Sequence, residues 1–384
     1  MSRKSKINGK KRKSGFGIAV FFLTLAVTGS FLYGKFPDFS LSTKTVGSFS
    51  FDSAEEIQSA DTVASQSTVD EVTVAEVPEI EVQTTESTAT QFPTAENVAQ
   101  KTADYPAFTD RSAELGEEYD ARYALLFDVS NNEVIAYRNE STKMYPASLT
   151  KVMTLIVAVE NTENFSDTIL ITNDMVLPMQ ELDASRAGFE PGDTPTVKDA
   201  LYGMILPSGA DASLAVAEYV AGSEKAFVEL MNKKAVEMGL EDTHFTNVTG
   251  LHDKKHYSSA RDMAMILEYA VKNTMCREIL SAVEYEYEPE PTELYPDGLV
   301  FTSTLFSRMY GDEMPFVTIK GGKTGFTDEA GNCIESFAEI FGKTYILVMC
   351  GGTTNWNAVY NTLSAYSVYC AGGEPYKPEQ NTHN

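Results

Sequence analysis

One lysine stands where the surrounding pattern has no place for a charge. Leu149, Val152, Met153, Leu155, Ile156, Val157 and Val159 put apolar side chains nearly all round a helix, so that helix is expected to be buried. Lys151 falls inside the same run. A helix covered on every side needs further layers around it, and an ammonium taken out of water needs a reason to be there. Ser148 stands three residues earlier, in Pro146-Ala147-Ser148-Leu149-Thr150-Lys151. Residues three apart share a helix face, so hydroxyl and amine are expected to enter one cleft. A serine hydroxyl is a weak nucleophile until a base takes its proton, and desolvation can make lysine that base. Free backbone amides at the helix start are available to a developing oxyanion.

Two further stretches carry chemistry. Gly321-Gly322-Lys323-Thr324-Gly325 follows a strand-like run at 316–320 and leads into Phe326. Glycines let another group approach the backbone, and Lys323 with Thr324 offers a cation and a hydroxyl suited to a carboxylate. Pro207-Ser208-Gly209-Ala210-Asp211 interrupts two apolar helices and exposes a serine at the break. Singly these are common: surface helices contain S-x-x-K, and glycines make plain turns. Their order is more specific, with Ser208 60 residues after Ser148 and Lys323 115 beyond it.

This order resembles the penicillin-recognising serine enzymes. More closely it is similar to the low-molecular-weight penicillin-binding proteins, the serine D-alanyl-D-alanine carboxypeptidase family of peptidase S11 type. The resemblance covers about residues 115–372, including 145–154, 201–222, 238–264 and 321–325. It implies an α+β fold of the penicillin-binding, serine β-lactamase-like kind: an antiparallel sheet flanked by helices, plus a helical subdomain. It implies a two-step acyl transfer on peptidoglycan stem peptides ending in D-Ala-D-Ala. Ser148 is then the nucleophile, Lys151 its base, and Ser208 the relay to the leaving amine. Lys323 and Thr324 hold the terminal carboxylate, and the amides of Ser148 and Phe326, beside Gly325, form the oxyanion hole. β-Lactams acylate Ser148 by the same route, and no cofactor or metal is called for.

Two departures stand out. The family's middle motif is S-x-N, whereas position 210 is alanine, which can neither bond substrate nor steady the lysine. A catalytically weak or inactive peptidoglycan-binding homologue is therefore one alternative. A class A-like β-lactamase is another, although Glu237 and Glu241 make no persuasive deacylating carboxylate between Ser208 and Lys323. Many family members also carry a β-rich domain after the catalytic one, whereas 59 residues follow Gly325 here. His252 and His256 have the spacing of a helical metal pair, but they lie in a turn-rich stretch without a third ligand, so packing is their expected role. Arg186 and Ser185 are possible substrate contacts, and Asp199 and Asp211 are expected helix caps.

The ends of the chain differ from its middle. Residues 1–15 are a basic leader, and 16–34 an apolar stretch without charge through residue 33. Such a run is long enough to cross a bilayer, with the basic side kept in the cytoplasm; a cleaved signal peptide is the alternative. Residues 35–105 read as a disordered acidic linker, since Ser, Thr, Val and Glu recur there without a period. Residues 106–375 are the catalytic domain and 376–384 a tail. The enzyme is thus expected in the cell membrane as a single-pass protein with its catalytic domain outside. The net charge of −25 argues against nucleic acid, whose binding needs clustered cations. Cys276, Cys333, Cys350 and Cys370 are too widely spaced for a zinc site or dense disulfide framework, and read as buried or free.

Overall fold

Strand residues with apolar neighbours on both sides form the centre of the domain. The computed structural model describes residues 103–288, 295, 298–309 and 314–378. The basic leader, the apolar run at 16–34 and most of the acidic segment lie outside these residues. So do tail residues 379–384. Ala103 and Tyr105, at the end of the segment read as linker, already pack on the domain: Ala103 N donates to Gly239 O, and Tyr105 OH donates to Asp262.

A hairpin of β2 (Tyr123–Asp128) and β3 (Glu133–Arg138) follows a short β1 (Ala113–Glu114). Three long strands follow much later: β6 (Val317–Thr327), β7 (Gly331–Ile340) and β8 (Lys343–Gly352). The sheet order is β1-β3-β2-β8-β7-β6. All pairs are antiparallel except β1 with β3. Strands from the two ends of the domain therefore meet at β2 and β8, with helices between them in sequence. This is an α+β plan. Alternation along β2 sends Leu125 and Phe127 to one core and Leu126 to another, which is why its pattern is apolar throughout. The second core lies under α8 (Asn355–Ala365), which ends in a wider turn at Tyr366–Ala371.

The first core holds α1 (Thr150–Glu160), in which residues 150–158 are all buried. Around it pack α3 (Val197–Ile205), α4 (Ala210–Ala221), α5 (Glu224–Met238), α6 (Ala260–Lys272) and α7 (Thr274–Ser281). A charged side chain within residues 150–158 has no route to bulk water except through a cleft. A capping box at the start of α6 is half made. The Ser259 side chain accepts from Asp262 N, but Asp262 spends its carboxylate on Tyr105 OH, Asp242 N and Thr243 Oγ1.

Beside these lie α2 (Asn173–Glu181), which carries Pro178, and a separate hairpin, β4 (Glu284–Tyr287) with β5 (Leu299–Thr302), whose Tyr285 ring stacks on Tyr202 at 3.9 Å. The strand expected to stop at Lys320 continues through Thr327, with a bulge between Ile319 and Gly321. The whole K-T-G motif thus lies within an edge strand. Among the described residues no helix is long and apolar enough to cross a membrane. The four cysteines are free, with Cys276, Cys333 and Cys350 buried.

Candidate active site

The turn carrying Ser148 is gripped from two sides. Ala147–Leu149 forms a single 3-10 turn leading into α1. Ala147 has φ +48°, a left-handed conformation that a non-glycine residue keeps only when its surroundings impose it. On one side is β6, where a Cβ added to Gly325 would sit 2.8 Å from Ser148 N. On the other is the 249–251 loop, where a Cβ on Gly250, at φ +84°, would sit 1.9 Å from Ala147 O. Both positions need glycine, the first for close approach and the second also for its backbone angle.

Lys151 is 2% exposed. Its Nζ lies 3.1 Å from Ser148 Oγ and donates to Thr249 O at 2.6 Å. Burial lowers its pKa to about 7, and the Asp211 carboxylate opposes that shift. Near neutrality a large share of the amine is therefore unprotonated. Its lone pair can receive the Ser148 proton while one N–H stays on the Thr249 carbonyl.

Ser148, Lys151, Ser208, Thr324, Gly325 and Phe326 all line one cleft of about 800 Å3. Ser208 has φ +66° and is buried, and its Oγ has no hydrogen-bond partner among the described residues. Lys323 is placed differently from the others. It is 1% exposed, is not part of the cleft wall, and donates from Nζ to Thr324 O at 2.8 Å. Burial, then the Lys151 and Arg308 cations, push its pKa well down, while Glu335 pulls it up.

Ala210 is buried on the cleft wall, where the sequence suggested that Lys151 would lack support. The Thr249 carbonyl supplies a contact to the amine from a different loop. Asp211 is not the cap of α4, whose N-cap position is Gly209, but lies in the first turn of that helix. It accepts from Ala187 N, Gly188 N and Ala212 N, tying the 184–188 loop to that helix start. Asp199 closes a capping box with Thr196 at α3. Ser185 lines the cleft, and Arg186 does not. Glu237 pairs with Lys233 and Lys234, and Glu241 with Arg261; neither is on the cleft wall.

Sequence reasoning missed Thr304 and Arg308, both on the wall. Thr304 Oγ1 lies 2.6 Å from Thr324 Oγ1, and burial lowers the pKa of Arg308. No local signal marks either residue. Thr249 was passed over because its contribution is a backbone carbonyl.

His252 packs edge-on to Tyr145 at 4.6 Å and lies 3.7 Å from Glu329. Among the described residues no group of three His, Cys, Asp or Glu side chains could hold a metal. His256 is 2% exposed and links the loop to α1: its Nδ1 accepts from Thr246 N, so Nε2–H donates to Thr150 Oγ1 at 2.7 Å. Burial lowers its pKa to about 4. An unfolded histidine has a value of about 6.5, so the unfolded chain takes up the proton first as pH falls. The stabilisation is complete above about pH 6.5 and is lost as pH falls through the folded-state value, about 3 kcal/mol in all. The thermal midpoint of His256→Gln is accordingly expected to depend less on pH between 7 and 4 than that of wild type. Equal slopes would assign the acid sensitivity elsewhere.

Comparison with known proteins adds an independent line. A family model described as peptidase S11, D-alanyl-D-alanine carboxypeptidase, matches residues 109–354. D-alanyl-D-alanine carboxypeptidase DacF of Bacillus subtilis is 35% identical over 248 residues, which is 64% of this chain and 60% of that protein. DacA of Escherichia coli is 34% identical over 234 residues, 58% of this chain and 54% of the relative. The chain thus spans little more than half the length of these relatives. Among solved structures, a Streptomyces DD-transpeptidase superposes with TM-score 0.57 at 26% identity, over 65% of this chain and 96% of that one. Penicillin binding protein 5 from Haemophilus influenzae gives 0.59 at 26% identity, over 66% and 72%.

Proposed function

The chain belongs to the D-alanyl-D-alanine carboxypeptidase family, and from that premise we propose that it removes the terminal D-alanine from peptidoglycan stem peptides through an acyl-enzyme on Ser148. One observation carries the reading: a buried amine with a pKa of about 7 lies 3.1 Å from a serine hydroxyl on the wall of an open cleft. Lys151 takes the Ser148 proton as Oγ bonds to the carbonyl carbon between the two D-alanines. The amides of Ser148 and Phe326 hold the oxyanion. Collapse breaks the C–N bond, and Ser208 passes a proton to the departing amine; its unpartnered Oγ leaves it available for this relay. Water then hydrolyses the ester. Thr324 and Arg308 meet the terminal carboxylate on the wall, with Lys323 held behind Thr324 by its bond to the Thr324 carbonyl. A β-lactam enters by the same attack, its opened ring remaining on Ser148 as the acyl group.

Two assays test this reading: covalent labelling by a fluorescent penicillin, and D-alanine release from a stem pentapeptide. Both are expected. Label without release would indicate a binding homologue, and rapid loss of the label would indicate a β-lactamase. The surface pairing of Glu237 and Glu241 leaves the latter without either carboxylate considered for its water. Ala210→Asn is expected to raise the rate of D-alanine release by about tenfold, since a polar contact of about 1–3 kcal/mol is added to the cleft. A lower rate in that variant would mean that Thr249 already fills the role and the amide only obstructs.

We propose further that the domain works outside the cell, held by the apolar run at 16–34 as a single-pass anchor. The basic leader and the uncharged run support this topology.

A further inference from the structure

Paired with Lys323 of β6, directly opposite it on β7, stands Glu335. Residues paired in register point to the same sheet face, so both side chains enter the core beside α1. Glu335 is 0% exposed, and neither carboxylate oxygen has a hydrogen-bond partner among the described residues. An apolar side chain in this position would avoid the desolvation cost altogether, so mere packing gives no reason for an acid.

Its surroundings supply one. Lys323 on β6 lies near two other cations, Lys151 on α1 and Arg308 after β5, and Glu335 is the acid acting against them. Glu335 in turn is near Cys333 on its own strand and Cys350 on β8, with Lys323 as the cation opposing its burial. From α6, packed on β7, come the apolar side chains of Met263, Ile266, Leu267 and Ala270. Burial prevails in each, raising the Glu335 pKa and lowering that of Lys323, and each member of the pair offsets part of that shift in the other.

We propose that Glu335 is a positioning residue, the internal counter-charge that lets Lys323 carry a proton when a substrate's terminal carboxylate docks against Thr324. The inference rests on the carboxypeptidase reading above. Without Glu335, two neighbouring cations and a dry setting favour the neutral amine, which has no charge to offer a carboxylate.

The test uses Glu335→Gln, Glu335→Val and Glu335→Asp in the full chain, assayed from pH 6 to 10. The substrates are one pentapeptide with a free C-terminal carboxylate and the same peptide capped as a carboxamide. In the Gln and Val variants KM for the free carboxylate is expected to rise about tenfold or more, one pKa unit of Lys323 being a factor of ten in its charged fraction. Little change is expected in kcat, and the alkaline limb is expected to move to lower pH. The carboxamide peptide is indifferent, and Glu335→Asp recovers part of the loss. Val removes a buried ionisable group, so it gives a folded variant for comparison if Gln does not. An unchanged KM and alkaline limb, or equal losses on both peptides, would overturn the inference while wild type still releases D-alanine. A wild type that neither releases D-alanine nor takes penicillin would overturn the underlying reading as well.

Discussion

Ser148→Ala is expected to fold normally, bind no penicillin covalently and release no measurable D-alanine. Loss of a nucleophile that works together with its base lowers kcat by on the order of 10^4-fold or more. The structural change is small by comparison. Ser148 is only partly buried, and the removed oxygen has Lys151 Nζ as its hydrogen-bond partner. The Ser148 amide remains in place against Gly325, so the shape of the turn survives. The thermal midpoint should therefore stay within the range of an ordinary surface substitution, about 0.5 kcal/mol. Retained turnover would move the nucleophile elsewhere, and Ser208 would be the first place to look because its Oγ faces the same cleft without a partner.

Lys151→Met is expected to cost nearly as much activity, for a different reason. Methionine fills the buried space on α1 but removes the base, and a positioned base is worth about 10^2- to 10^4-fold. Stability should change little. A fully buried ionisable group is replaced by an apolar one, which favours the variant, while Thr249 O loses its donor, which costs about 1 kcal/mol. The pH dependence separates this role from packing. Lys151 must be unprotonated to accept the Ser148 proton, and burial sets its pKa at about 7. Wild-type penicillin acylation should rise as pH climbs through 7 and then level off. In Lys151→Met the residual rate should lack that limb. A variant that keeps both the rate and the limb near 7 would remove Lys151 from the chemistry.

Much of the catalytic half of this cleft was legible in the sequence because it breaks a pattern. Lys151 was visible as a charge within an all-apolar helix, and Ser148 by its spacing from it. The sheet was legible at its centre, where Leu125, Leu126 and Phe127 are apolar on both faces. Along β6 only the start, near 316–320, was legible, because Gly321, Gly322 and Gly325 carry none of the side chains by which a strand is recognised. The β4–β5 hairpin went unseen although Glu284-Tyr285-Glu286-Tyr287 alternates, since its acidic residues resembled solvated loop. Thr249, Arg308 and His256 act through contacts between segments far apart in the chain, and no local period encodes those. Glu335 differs from them. An acid flanked by Ile334, Ser336 and Phe337 in a buried strand is the same kind of signal as Lys151 in its helix, and it could have been read in the same way.

The most direct test of a hydroxyl and an unprotonated amine working one helical turn apart is a peptide map of the penicillin-treated protein. Cleavage after Lys143 and Lys151 isolates residues 144–151, in which Ser148 is the only serine. The penicilloyl mass should appear on that peptide, form faster as pH rises through 7, and be missing from Ser148→Ala. An adduct on any other peptide, or D-alanine release by a protein whose 144–151 peptide is never modified, would contradict the assignment of Ser148 as nucleophile.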